Sequence, residues 1–321
     1  MLRAPSPNAA TRTRGDLEMD IKLTADRETV DRVFSAMFPD GVSLPAFDTE
    51  TFCAATIALG GNCAERLRQL AIWQSEAHPL GLDDWPVLAH LYERAASMAP
   101  TDLRIPHSRG VSALEVAQTS THREASSRMF QVARAAFEEA LQRDPSCDDS
   151  MYLLGLSHYL DQTRDIPEAK PWFTRALAAN PAQARARLYL GHCAQDEGDF
   201  RGALTEYEQV DEEALLRELP SWHVYRLHEQ MGYCHAKLGH REEALRLLDG
   251  VLKLYEQAEP DALPDNLIGF PSELIEIATS DLVCELFDRI DRCVRRHGWA
   301  FLYAPDLERG RAIKANAVHG S

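Results

Sequence analysis

The chain lacks most of the patterns that would assign it a chemistry at once. It has no C-x-x-C pair, P-loop, G-x-S-x-G elbow or G-x-G-x-x-G segment, so glycine-loop phosphate cradling and the common serine-hydrolase arrangement have no sequence support. Positive charge is short: 34 Lys plus Arg stand against 50 Asp plus Glu, a formal net charge of -16. That balance repels phosphate backbones and anionic lipid, and it argues against nucleic-acid or membrane partners. Long hydrophobic runs are missing too. The longest uncharged apolar stretch, Phe52 to Ala64, is too short to span a bilayer and is interrupted by Gly60 and Gly61. The seven cysteines (53, 63, 147, 193, 234, 284 and 293) are odd in number and scattered, the usage expected of small buried hydrophobes in a reducing, cytoplasmic setting. The first fifteen residues carry Arg3, Arg12 and Arg14 with no acid, but Pro5 and Pro7 break the amphipathic helix that an import signal needs.

What remains is ordinary globular composition, 45% hydrophobic and 26% charged, in a chain long enough for two domains or one repeat array. A repeat is present. Leu154-Gly155, Leu190-Gly191 and Met231-Gly232 precede Ala169, Ala203 and Ala244 by 12 to 14 residues. From each alanine an apolar stripe follows at i, i+4 and i+7: Phe173 and Ala176, Tyr207 and Val210, Leu248 and Val251. That spacing marks one face of a helix. An upstream copy reads Ala133, Phe137, Ala140, and Pro145 and Pro181 stop two of the units. Two markers keep one register, because Gly110 to Gly155 and Pro100 to Pro145 are both 45 residues, while Gly155 to Gly191 and Pro145 to Pro181 are both 36.

This pattern resembles the tetratricopeptide repeat over roughly residues 101–256, with Leu88, Tyr92, Ala95 and Pro100 as the second helix of a degenerate earlier unit. The resemblance implies an all-α, right-handed superhelix, a solenoid of helix pairs. The chain departs from the family in two ways. Met151, Arg187 and His228 stand where the consensus has tryptophan, and the unit after Gly110 is about eleven residues too long, with the insertion at Gln118 to Ser127 expected to lengthen a loop or a helix. The organisation expected is a disordered tail over 1–18, an N-terminal helical segment over 19–82, the array over 83–257, a proline-rich linker over 258–271, an amphipathic capping helix over 272–298 and a C-terminal tail over 299–321. In the N-terminal segment, Thr24 to Phe38, Asp48 to Leu59 and Asn62 to Ala77 read as helices, the last opened by the capping-box pattern Asn62-Cys-Ala-Glu65. The capping helix carries Leu282, Val283, Leu286, Phe287, Ile290, Cys293 and Val294 on one face. That face either closes the end of the array or forms a dimer seam.

Catalytic and metal constellations fail on spacing. His228-Glu229-Gln230-Met231-Gly232 begins like a zinc-protease motif, but Gly232 stands where the second histidine is required. Asp83-Asp84 before Trp85-Pro86 reads as a helix start. His192-Cys193, Cys234-His235, His223, His228 and His240 share no ligand spacing, and His158, His228 and His235 fall at repeat positions that the family packs between its helices. No cofactor, metal or catalytic residue is therefore expected. The acidic run Glu206, Glu208, Asp211, Glu212, Glu213 and Glu218 reads as a solvated face.

The resemblance implies a concave groove lined by first-helix positions two, five, nine and twelve. These are Asp149, Tyr152, Leu156 and Tyr159, then Arg185, Leu188, His192 and Gln195, then Arg226, Glu229, Tyr233 and Ala236. Within them Tyr152, Leu156, Tyr159, Arg185, His192, Arg226 and Tyr233 are the candidate peptide-binding residues, since tyrosine and arginine dominate interface hot spots. Tyr152 and Leu156 replace the Lys and Asn of the family's chaperone-tail clamp, so that ligand class is not expected. The sequence thus points to a non-catalytic interaction scaffold whose partner is another protein, met through an acidic or aromatic-bearing segment. Its alternatives are an enzyme with an unrecognised N-terminal site and a homo-oligomer, such as a homodimer, built through the last helix.

Overall fold

A computed structural model describes residues 62–77, 80–219, 221–259, 280–298 and 304–319. The described residues form thirteen α-helices and no strand, so the fold class is all-α. They divide into two compact units, residues 1–183 and 184–321, with the division falling inside the expected array. The expected tail over 1–18, the helices Thr24 to Phe38 and Asp48 to Leu59, most of the linker and the first residues of the capping helix lie outside the described residues.

Unit 1 holds α1 (Cys63–Ala77), α2 (Trp85–Met98), α3 (Arg104–Thr119), α4 (Arg123–Arg143), α5 (Asp148–Leu160) and α6 (Ile166–Ala179), packed as the pairs α1–α2, α3–α4 and α5–α6. Half of the expected capping box forms at α1. Asn62 Oδ1 accepts the Glu65 N–H at 3.2 Å, whereas the Glu65 carboxylate turns to Arg68 and Gln69. Helix α2 begins after Asp84 as read, but the Asp84 carboxylate accepts the Gly81 N–H behind it at 2.7 Å. Pro100, Pro145 and Pro181 each follow the C-cap of α2, α4 or α6. The stripes Ala133, Phe137, Ala140 and Ala169, Phe173, Ala176 are fully buried. Each aromatic ring lies over the glycine of the paired helix. A Cβ at Gly110 would come within 2.5 Å of Phe137, and one at Gly155 within 2.8 Å of Phe173. The missing side chain lets the helices cross closely, and each ring so buried stabilises the pair by roughly 1.5–3 kcal/mol. The insertion after Gly110 lengthens helices, since α3 runs to Thr119, α4 has 21 residues, and only Ser120 to His122 connect them.

Unit 2 holds α7 (Ala184–Asp196), α8 (Phe200–Tyr207), α9 (Glu212–Glu218), α10 (Trp222–Lys237), α11 (Arg241–Gln257), α12 (Ser280–Arg296) and α13 (Ala304–His319). Its pairs α7–α8 and α10–α11 repeat the same packing. Tyr207 lies over Gly191, and Leu248 over Gly232, where a Cβ would meet its Cδ2 at 2.8 Å. The interval from Gly191 to Gly232 is 41 residues, and the surplus over 36 is taken up by α9. Asp211 caps that helix by accepting the Ala214 N–H at 3.0 Å. Of the acidic run, Glu208, Asp211, Glu212 and Glu213 are exposed, while Glu206 is half-buried against Arg187.

Helix α12 packs on α11. Leu286, Phe287, Ile290, Cys293 and Val294 share one buried cluster with Leu248, Val251, Leu252 and Tyr255; the side chains of Leu282 and Val283 lie outside the described residues. A dimer seam on this face would therefore have to uncover a surface already used within the unit. Residues 299–321, expected as a tail, contain α13 instead, and its Leu307 joins the same cluster. Arg289 clamps the cap to α11 by pairing with Asp249 and, at 2.9 Å, with Glu256. Cys147, Cys193, Cys234 and Cys293 are free thiols, but Cys63 is disulfide-bonded, which departs from the reading of all seven as small buried hydrophobes.

Candidate functional site

The first-helix positions fall on α5 in unit 1 and on α7 and α10 in unit 2, and the two units treat them differently. On α5, Tyr152, Leu156 and Tyr159 are only 4%, 8% and 8% exposed. The Tyr152 ring packs at 6.1 Å from Phe173, and the Arg164 guanidinium sits 5.1 Å from the Tyr159 ring centre. These side chains lie in the interior and offer little area to a partner. The 3, 4, 3 spacing fixed their common face, but spacing alone does not say whether a face is open.

In unit 2, Arg185, His192, Arg226 and Tyr233 are all half-buried, with Leu188 and Glu229 buried between them in the register. Two hydrogen-bonded networks hold this face. In the first, the fully buried Glu229 carboxylate accepts Arg226 Nη1 at 2.8 Å on one oxygen and the Tyr255 hydroxyl at 2.7 Å on the other. A buried carboxylate needs such partners, and removing one of them is costly. In the second, the Tyr207 hydroxyl meets His192 Nδ1 at 2.7 Å and donates to Gln195 Oε1 at 3.0 Å. The Gln195 side-chain amide donates in turn to Gln230 on α10. Tyr233 stands edge-on to Phe200, with the Lys237 ammonium 5.2 Å from its ring centre. Arg226 and His192 are thus held in place, and with Arg185 and Tyr233 they give the face groups that pair chemically with carboxylates and flat apolar groups.

A further cluster went unread in the sequence. His107 on α3 bridges Ser150 Oγ, 2.9 Å from its Nδ1, and Asp149 Oδ2, 3.2 Å from its Nε2. These are the three residue types of a nucleophilic triad, but Ser150 is fully buried, so its hydroxyl has no approach for a substrate and the trio ties α3 to α5. Its signal was available, because His107 precedes Gly110 by the same three residues that separate Tyr152 from Gly155. The three histidines expected to pack between helices are half-buried: His228 meets Glu212 at 2.8 Å, and burial first of all holds His158 and His235 below the ordinary histidine range. Among the described residues no three His, Cys, Asp or Glu side chains gather closely enough to hold a metal ion, and no helix is long and apolar enough to cross a membrane.

Glycines under rings, alanine stripes and stacked helix pairs are what the tetratricopeptide repeat requires, and the model of that family matches residues 123–163 and 157–214. Those residues are tetratricopeptide-like. The match spans α4 to the start of α9, less than a third of the chain. Among solved structures, MamA is 18% identical, with 55% of this chain and 91% of that one covered, at a TM-score of 0.43. YrrB, described as a TPR protein with an unusual peptide-binding site, is 21% identical over 60% and 87%, at 0.43. TTC0263, a thermophilic TPR protein of Thermus thermophilus, is 16% identical over 60% and 92%, at 0.41. No curated protein matches. Likenesses this remote say nothing about partners.

Proposed function

We propose that this tetratricopeptide-type chain is a non-catalytic protein-interaction scaffold, and that the α7–α10 face of unit 2 receives an acidic or aromatic-bearing segment of another protein. The observation that carries the reading is the placement of half-buried Arg185, His192, Arg226 and Tyr233 at corresponding positions of two successive first helices, within a protein whose net charge is -16. With Arg226 paired to Glu229, Arg185 and the aromatic groups still set this face apart from that acidic character. Arg226 is oriented by a buried carboxylate, which reduces the rotamer freedom lost on binding. Tyr152, Leu156 and Tyr159 are assigned to packing beneath the unit 1 face rather than to the binding energy.

The test is a segment captured from the native cell and titrated against purified full-length protein. Arg185→Ala and Tyr233→Ala should each weaken binding by about 2 kcal/mol, as interface hot spots do, with helicity unchanged. Raised salt should weaken the arginine contribution more than the tyrosine one. Unchanged affinity in both variants would move the site off this face. Arg226→Lys serves better than alanine there, because it keeps a cation beside Glu229 while removing the planar fork.

A further inference from the structure

We propose that His235 and His240 form a two-histidine chelate for a zinc ion at the turn between α10 and α11. Their Nδ1 atoms stand 3.2 Å apart, with the rings tilted by 49° and centred 5.5 Å from one another. Two imidazole nitrogens that each lie about 2.0–2.1 Å from a tetrahedral zinc ion are about 3.3 Å apart. The pair already has that bite. A square-planar ion holding neighbouring nitrogens at similar bond lengths needs them about 2.8–2.9 Å apart, so the geometry favours zinc over copper(II) or nickel(II).

The backbone sets the two residues side by side independently of any ion. Helix α10 ends in a tight turn in which Gly239, at φ 79°, takes the left-handed conformation that glycine adopts without strain. The His240 N–H then donates to the His235 carbonyl at 2.9 Å, and the Gly239 N–H to that of Ala236 at 3.0 Å. His240 is the N-cap of α11 and its side chain makes no capping bond. His240 is exposed and His235 half-buried, so an ion reaches the pair directly from solvent. Zinc needs the neutral imidazole, and His235 is biased to that form, first by burial and next by the neighbouring His240. Glu243 and Glu208 place negative charge around His235, opposed by Arg246. With two protein donors, the remaining coordination positions belong to water, which makes the site open and exchangeable rather than a closed structural one. An ion held here would join the last turn of α10 to the first of α11 and stabilise that helix pair.

The competing account of the same distance is a single N–H···N hydrogen bond. The two are separated with full-length protein freed of any histidine tag and of bound metal, titrated with zinc chloride at neutral pH by calorimetry and by NMR of the histidine ring nitrogens. The chelate predicts one zinc-binding event that moves the Nδ1 resonances of His235 and His240 together. His240→Ala and His235→Gln should each weaken it at least about tenfold, while His240→Cys, which supplies a thiolate, should retain it. Magnesium, which takes oxygen ligands, should not compete. Zinc binding left unchanged by both variants, or Nδ1 resonances that do not respond up to millimolar zinc, would overturn the proposal and leave the pair as a hydrogen bond.

Discussion

The two units carry the same repeat and fill it with different chemistry. Where the repeat consensus has tryptophan, unit 1 buries Met151, whereas unit 2 places Arg187 against Glu206 and His228 against Glu212. Over the glycine, unit 1 lays the apolar rings of Phe137 and Phe173, and unit 2 lays Tyr207, whose hydroxyl engages His192 and Gln195, and then Leu248. On the first-helix face, α5 buries Tyr152, Leu156 and Tyr159, while α7 and α10 leave Arg185, His192, Arg226 and Tyr233 half open. The backbone register decides which residues share a face. What packs over that face then decides whether it is buried, as on α5, or left half open, as on α7 and α10.

The comparison is broken most forcefully at the glycines. Gly191→Ala sets a methyl group into a ring that is tethered through its hydroxyl, and about 3 kcal/mol of stability should be lost. Gly155→Ala drives a methyl group into the untethered Phe173 and should cost about 2 kcal/mol, both being overpacking effects. Urea unfolding measures both, and equal losses would show that the Tyr207 tether adds no stiffness. A milder change makes unit 2 resemble unit 1. Tyr207→Phe removes the hydroxyl between His192 and Gln195 and should lower stability by about 1 kcal/mol, while freeing the His192 ring from its 2.7 Å contact; proton NMR of that histidine reports the change.

The smallest effect concerns the cap that only unit 2 is described as having. Lys253 and then Arg289 hold the Asp249 carboxyl below its ordinary range, and Arg289 does so for Glu256. Because both folded-state values are depressed, their contribution is fully present above the ordinary carboxylate range, about 4, and is lost as the pH falls through the lowered values. The pairs are partly solvent-exposed, so the contribution is modest. Hydrogen exchange of α12 should accelerate below that range, and Arg289→Gln should flatten the dependence.

Much of this was legible in the residues. The Gly110, Gly155, Gly191 and Gly232 register, the alanine stripes and the stopping prolines placed the four central pairs, because close helix crossing demands a small residue at a fixed interval. The apolar face of α12 was equally plain, at 286, 287, 290, 293 and 294. Helix α9 was not, since seven residues are too few to show a period, and its acids suggested only a solvated face. Helix α13 hid for another reason: Ala304–His319 contains Gly310 and buries Leu307 against a cluster whose other members lie on α11 and α12. The burial of Tyr152 and Tyr159 was illegible for the same reason, since what covers a face is a tertiary fact. His235 and His240, five residues apart across a turn, match no ligand motif, and only the left-handed Gly239 shows how their rings meet.

The central claim is that recognition belongs to the α7–α10 face of unit 2 while the matching face of α5 is packing. Its most direct test is a matched pair of tyrosine truncations, with both the stability of the free protein and its affinity for a captured partner segment measured on each. Tyr233→Ala should weaken binding by about 2 kcal/mol while lowering the unfolding midpoint less than Tyr159→Ala does, and the folded Tyr159→Ala protein should bind as before. The opposite pattern, with affinity lost in Tyr159→Ala and kept in Tyr233→Ala, would contradict the account.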